Sequence, residues 1–246
     1  MKILAVDSSG LVASVAIVED SNLIAEYTVN YKKTHSQTLL PMLDEIVKMT
    51  ETDLNTIDAI AVAKGPGSFT GLRIGSATVK GLGFALDKPV IGVPTVEGLA
   101  MNLYDSKALI CPMMDARRSQ VYTGLYRFQG HVLQVVKDQI PIAVEELIDT
   151  LNLLGEEVVF LGDGVPVYED VIKSNIQVPY SFAPAHVNKQ RASALAVRAF
   201  EYWNSGNYVS ADDFVPEYLR MSQAERERAE AEKKLRDEKN TDNHNN

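Results

Sequence analysis

The chain has 246 residues, enough to bury a sizeable core as one large domain or two smaller ones, and its 46% hydrophobic and 23% charged composition is that of a globular protein. A formal charge of -9 argues against autonomous nucleic-acid binding, which needs a basic footprint, so any RNA has to be held mainly by another protein.

Cys111, the single cysteine, lies in the apolar run Leu109-Ile110-Cys111-Pro112 and reads as a small buried hydrophobe with no disulfide partner. The opening Met1-Lys2-Ile3-Leu4-Ala5-Val6-Asp7 is too short for a signal peptide and is interrupted by Asp7, and no run reaches membrane-spanning length. The expected location is the cytoplasm.

Ile3 to Val6 reads as a buried strand, Asp7-Ser8-Ser9-Gly10 as turn chemistry, and Ala13 to Val18 and Ala25 to Tyr31 as two further strands of an antiparallel meander. For Asp7 the local reading is a carboxylate bonding its own turn. His35 to Val47 is amphipathic, with Leu39, Leu43, Ile46 and Val47 on one face. Proline is tolerated only near the first turn of a helix, so Pro41 predicts a start at Leu39 or Leu40. His35, His131, His186 and His244 show no short metal-ligand spacing, which leaves His35 as a helix-entry or surface residue.

Ile57 to Ala63 predicts a buried strand, Lys64 to Gly71 a glycine-rich loop, and Leu72 to Leu86 a helix capped by Thr70. Free N-H groups at that helix start would suit a phosphate or carboxylate, while the plain alternative is a tight strand-to-helix connection. Known motifs do not decide: Thr70 breaks GxGxxG, the Walker A ending is missing, and Pro66 and Thr70 flank Ser68 where GxSxG needs glycines. Inside the helix, Gly75, Gly81 and Gly83 forfeit roughly 2 to 3 kcal/mol of helix propensity. Small side chains at Gly75, Thr78 and Ala85 suggest close crossing by another helix, with packing on the chain's own sheet as the other explanation.

Pro89 to Val93 follows as a strand and Thr95 to Tyr104 as a helix capped by Thr95. Leu109 to Met114, Val121 to Phe128 and Val132 to Ile142 form strands around the turn Asp115 to Gln120, whose tip carries Arg117 and Arg118 as a site for an anion or RNA or, more often at a hairpin tip, as solvated charges. Val144 to Leu154 is helical, Val158 to Leu161 a strand, Gly162-Asp163-Gly164 a turn into another helix, and Ala192 to Trp203 a helix with Leu195, Ala199, Phe200 and Trp203 facing the core. From Met221 to Asn246, seven acidic and six basic side chains make a charged but unpolarised tail, read as a solvated helix over Glu225 to Lys234 and a disordered end.

The eleven residues Gly65 to Gly75, GPGSFTGLRIG, resemble the signature of the TsaB (YeaZ) family, the non-catalytic subunit of the bacterial tRNA threonylcarbamoyladenosine synthesis complex. AVDSSGLVASVAI, HSQTLLPMLDEI, DARRSQVY and Pro216-Glu217-Tyr218-Leu219-Arg220 extend the resemblance from Asp7 to Arg220. It implies an α/β fold of the duplicated actin-like ATPase (ribonuclease-H-like) type with two subdomains, 1-107 as the partner-binding unit and 108-220, followed by the tail 221-246. Periodicity alone also allows a doubly wound sheet. In actin-like ATPases the position of Asp7 holds a phosphate-loop carboxylate, and a glycine pair where Gly162 and Gly164 stand faces adenosine.

The catalytic paralogue TsaD carries two metal-binding histidines around a Glu-Gly pair. Setting Glu97-Gly98 on that pair puts Thr95 and Leu99 where the histidines would be, and neither replaces them as ligands. The resemblance therefore implies no catalytic, cofactor-binding or metal residues of its own, in a complex that uses ATP. Its implied partners are a TsaD-like paralogue as heterodimer and a TsaE-like ATPase, with tRNA reached only through the complex, either a homodimer or a monomer when the chain is alone, and no membrane. The implied partner surface comprises Leu39, Leu43 and Ile46 on the first helix and Thr70, Arg73, Ile74, Gly75, Thr78 and Gly81 on the glycine-bearing one. Two other classes remain: an ATP-dependent kinase or ATPase served by Asp7, Gly67 and Gly162-Asp163-Gly164, and a glycoprotease-like peptidase, for which no metal or nucleophile constellation is visible.

Overall fold

A computed structural model describes residues 1-31 and 33-220. Strands β1 (Lys2–Asp7), β2 (Ala13–Glu19) and β3 (Asn22–Val29) form an antiparallel meander, and β4 (Ala59–Gly65) and β5 (Val90–Pro94) add in parallel, giving the order β3-β2-β1-β4-β5. The second half repeats this plan. Its strands β6 (Leu109–Arg117), β7 (Gln120–Gln129), β8 (Val132–Ala143), β9 (Val158–Leu161) and β10 (Tyr180–Phe182) are ordered β10-β9-β6-β7-β8, the same succession read from the other edge. Helices α1 (His35–Met49) and α2 (Phe69–Leu86) in the first half correspond to α4 (Val144–Leu154) and α5 (Val165–Asn175) in the second. The protein thus has the duplicated actin-like α/β fold.

Strand alternation decides which helix covers which face. Leu4, Val6, Ile60 and Val62 point toward α1 and α2, where Leu39, Met42, Leu43 and Ile46 meet them. Ile3, Ala5, Ala59 and Ala61 point the other way, onto Ala192, Leu195, Ala196 and Ala199 of α6 (Ala192–Asn204). Alanines on both sides let that helix lie close to the sheet. Helix α3 (Thr95–Ala100) makes the converse crossing: it follows the first sheet, yet Val96, Leu99 and Ala100 pack with Ile110, Met114 and Tyr126 of the second. The last helix of each half is buried against the other half.

The start of α6 is fastened to the first sheet from a distance. Glu26 on β3 accepts hydrogen bonds from Arg191 Nε at 3.0 Å and from Ser193 N and Oγ at 3.0 and 2.7 Å, and Ser14 Oγ accepts from Ala192 N at 2.9 Å. These satisfy donors that a helix start otherwise leaves bare. Beyond α6 the chain returns as a strap along the first half: Val209 bridges Val90, Lys80 Nζ donates to the carbonyls of Asp212 and Phe214, and Glu217 N donates to Lys64 O.

Several local expectations are corrected. Helix α1 begins at His35 and runs through Pro41, because four inward apolar side chains outweigh the one backbone bond that proline forgoes. Strand β3 starts at Asn22, ahead of the expected Ala25. The cap of α2 is Ser68, whose Oγ accepts from Gly71 N at 3.3 Å, while Thr70 lies inside the helix. Pro94 occupies the cap position of α3, which ends at Ala100 and continues as a single 3-10 turn. Strand β10, with Tyr180 and Ser181 exposed and Phe182 half-buried, had no sequence signal. The expectations for the tail 221-246 lie outside the described residues.

Candidate functional site

Strand β1 delivers Asp7 to the point where the two halves meet. Asp7 is buried, and its Oδ1 accepts from Ser9 N at 2.9 Å and Ser9 Oγ at 2.6 Å, the turn-bonding role read from sequence. Burial pushes its carboxyl up to about 6; the Ser9 bonds and His35 oppose the shift and Asp163 adds to it. Asp163, in the turn before α5, is also raised by burial, and its Oδ1 accepts from Asp115 N at 3.2 Å.

The glycines between these carboxylates serve backbone packing. A Cβ on Gly67 would stand 2.4 Å from Ser9 O, one on Gly71 2.1 Å from Ser8 O, and one on Gly162, at φ 109°, 2.1 Å from Met113 O. Ser68 N donates to Ser9 O at 2.7 Å, Leu72 N to Ser68 O at 2.8 Å and Gly164 N to Met113 O at 2.9 Å. The N-H groups of Ser68, Gly71 and Leu72 around the start of α2 are bonded inside the chain, as a tight strand-to-helix connection requires. Sequence reasoning passed over Gln190, which is 1% exposed and lies against Gly10, whose carbonyl bonds His35 Nε2 at 2.8 Å.

In the segment Thr95 to Leu99, both end residues are buried, Leu99 in an apolar cluster and Thr95 with an Oγ1 that has no hydrogen-bond partner. Glu97 Oε2 accepts from Arg198 Nε at 2.7 Å and Tyr202 OH at 3.0 Å, so its charge is committed to α6. A Cβ on Gly98 would meet Leu195 Cδ1 at 2.8 Å. The segment is a joint between α3 and α6. Among the described residues no group of three histidine, cysteine or carboxylate side chains is placed to hold a metal ion. Cys111 is buried, with its thiol pushed up to about 12 by desolvation.

Helices α1 and α2 lie side by side, and the residues singled out on them divide. Leu39, Leu43 and Ile46 face inward in the core of the first half. Gly75 is buried, with Ser8 Oγ 2.5 Å from where its Cβ would be, and Gly83 meets Ala211 Cβ and Lys88 O at 2.9 Å each. Contacts within the chain therefore account for these two glycines, which corrects the argument that a partner helix explains them. Gly81 has nothing within 4 Å. Thr70, Arg73 and Gly81 are exposed; Ile74 and Thr78 are half-buried, with Thr78 Oγ1 donating to Ile74 O at 2.9 Å. Ala77 and Phe84 complete the outward row, Phe84 at 76% exposure, and Leu40 on α1 is 57% exposed. The spacing 70, 73, 77, 81, 84 is that of one helix face and was available from sequence.

Arg117, Arg118 and Ser119 in the β6–β7 turn take φ values of 61°, 56° and 56°. Left-handed backbone costs a residue other than glycine roughly 1 to 2 kcal/mol, so three in succession need holding. Asp115 Oδ1 accepts from Arg117 N at 2.8 Å and Tyr168 OH at 3.0 Å, and Ser119 O accepts from Val144 N at 3.1 Å. Both arginine side chains are exposed, as expected of a hairpin tip. No helix among the described residues is long and apolar enough to cross a membrane.

Residues 22–228 match the sequence model of the family described as TsaD, tRNA N6-adenosine threonylcarbamoyltransferase. The chain is 35% identical over 237 residues to the tRNA threonylcarbamoyladenosine biosynthesis protein TsaB of Bacillus subtilis, covering 95% of this chain and 100% of that protein. It is 29% identical to the Escherichia coli TsaB, over 91% and 96% of the two chains. Among solved structures, YeaZ from Pseudomonas aeruginosa is similar at 28% identity and a TM-score of 0.76, over 89% of this chain and 99% of that one.

Proposed function

The chain belongs to the TsaB (YeaZ) family, and we propose that it acts in tRNA threonylcarbamoyladenosine biosynthesis as a non-catalytic subunit that binds a TsaD-like paralogue. Its part in that biosynthesis follows from the family; the division of labour is the proposal. In this reading the paralogue carries the transfer chemistry, a TsaE-like ATPase and ATP support turnover, and tRNA reaches this chain through the complex, where the adenosine beside the anticodon is modified.

The observation that carries the reading is the outward row of α2. Thr70, Arg73, Ala77, Gly81 and Phe84 present small side chains around Gly81 and a large apolar one at 76% exposure. Small residues let a second helix approach closely, and Phe84 supplies apolar area to bury. A partner of the same fold suits this face because the chain itself matches the transferase family model over residues 22–228. Support for the non-catalytic role comes from Glu97, committed to Arg198 and Tyr202, and from Leu99, buried in an apolar cluster.

Co-expression with the transferase subunit tests the proposal. Gly81→Leu places a bulky side chain where nothing in this chain lies within 4 Å, and Phe84→Asp puts a charge on the apolar anchor. Both variants should fold and lose co-purification with the partner. Wild-type retention of the partner by both folded variants would show that the face is not the interface.

A further inference from the structure

We propose that the ridge leading from the first turn of α2, through the end of the C-terminal strap, to the β6–β7 turn takes the phosphates and unstacked bases of an RNA strand. The inference rests on the tRNA-modifying role proposed above and adds a direct contact that the overall charge does not suggest. Seven arginines lie among the described residues. Arg127, Arg191 and Arg198 are paired with Glu156, Glu26 and Glu97. The other four, Arg73, Arg117, Arg118 and Arg220, have no carboxylate within ion-pair distance among the described residues, and those four lie together.

A line of contacts joins them. The Arg73 guanidinium sits 4.2 Å over the Phe69 ring, whose centroid is 4.8 Å from that of Tyr218. Two residues on, Arg220 Nη1 donates to Ala116 O at 2.9 Å and the guanidinium lies 5.8 Å from the Tyr122 ring. Ala116 leads directly into Arg117 and Arg118, exposed on the left-handed turn. Cations thus alternate with aromatic rings, the combination on which single strands bind: guanidinium groups neutralise phosphates and rings offer faces for bases. Of the nearby carboxylates, Glu217 is paired with Lys64 at 3.2 Å, while Asp115 accepts from Arg117 N and Tyr168 OH and Asp163 from Asp115 N, neutral donors that leave the carboxylate charge in place. In a chain of formal charge -9, four arginines without a carboxylate partner among the described residues set this stretch apart from the overall balance. The contact is strong enough to measure in the isolated chain at low salt, and a partner adds to it in the complex.

The test uses the full chain and a tRNA transcript with an unmodified adenosine beside the anticodon, measuring affinity by fluorescence anisotropy across a low-salt series. The paired substitution Arg117→Glu with Arg118→Glu should weaken binding about tenfold or more and flatten the plot of log affinity against log salt by about 1.4, roughly 0.7 for each lost phosphate contact. Arg127→Ala, outside the ridge, should change neither. No binding by the wild-type chain, or equal binding by the paired variant, overturns the proposal. So does binding of polyglutamate but not RNA through these arginines, which assigns the ridge to an acidic protein. Threonylcarbamoyladenosine content of tRNA in cells that depend on this chain separates the two levels. Failure of the wild-type chain to restore it sinks the parent reading, whereas equal restoration by a variant that also binds RNA equally sinks this inference alone.

Discussion

Arg198 on α6 donates its Nε to Glu97 Oε2 on α3 at 2.7 Å, with side chains only 11% and 10% exposed. The pair ties together the two helices that cross between halves, and the Tyr202 hydroxyl completes the carboxylate's shell. Arg198→Ala would leave that charge buried beside one hydroxyl, a loss of about 3 kcal/mol or more. In a protein of this size the melting temperature should fall by roughly 6 to 12 °C. Removing both charges with Glu97→Gln and Arg198→Met should recover much of the loss, since replacing a whole buried pair by groups of similar volume is often near neutral. An unchanged melting temperature for Arg198→Ala would show that the joint does not depend on the pair.

Asp7 gives stability a definite pH dependence. Its carboxyl is raised by burial from 3.8 to about 6, so between those values the folded state binds a proton that the unfolded state has released. Stability contributed by this group is present in acid, is lost as pH rises from about 4 to 6, and stays lost above, by about 3 kcal/mol in total. Asp7→Asn keeps an acceptor for Ser9 and removes the charge. The variant should therefore be more stable than wild type above pH of about 6, with the advantage shrinking to nothing near pH of about 4. Urea denaturation of both proteins across that window decides; curves that stay parallel contradict the assignment.

Two glycines of α2 should respond in opposite directions to alanine. Gly71→Ala drives a Cβ to 2.1 Å from the backbone oxygen of Ser8, which cannot move without disturbing the Asp7 turn, and should cost about 1 to 3 kcal/mol. Gly81→Ala meets nothing within 4 Å and should gain about 0.8 to 1 kcal/mol of helix propensity. Denaturant midpoints measure both. A destabilised Gly81→Ala would mean that this face is already packed in the free chain.

Much of the architecture was legible because the strands are buried on both faces. Runs such as Ile3 to Val6, Ile57 to Ala63 and Val158 to Leu161 carry almost no polar residue, and the β6–β7 hairpin announced itself by its turn chemistry. Boundaries failed where tertiary contacts outweighed local signals. Pro41 stays inside α1 because the helix is held to the sheet by Leu39, Met42, Leu43 and Ile46, and Ser68 displaces Thr70 as cap because Ser9 O already binds its N-H.

The sequence by itself determined the family signature and the α/β alternation, since each depends on residue types at fixed spacing. Tertiary structure alone decided what the glycines, carboxylates and arginines face. Gly75 and Gly81 are the same residue on one helix, yet one accommodates Ser8 and the other opens outward. Glu97 is spent on a residue 101 positions away, and Arg73 and Arg220 come to one ridge through Phe69 and Tyr218. Helical periodicity tells which side chains share a face, but which face is covered depends on strands and helices arriving from elsewhere in the chain, and no local pattern encodes them.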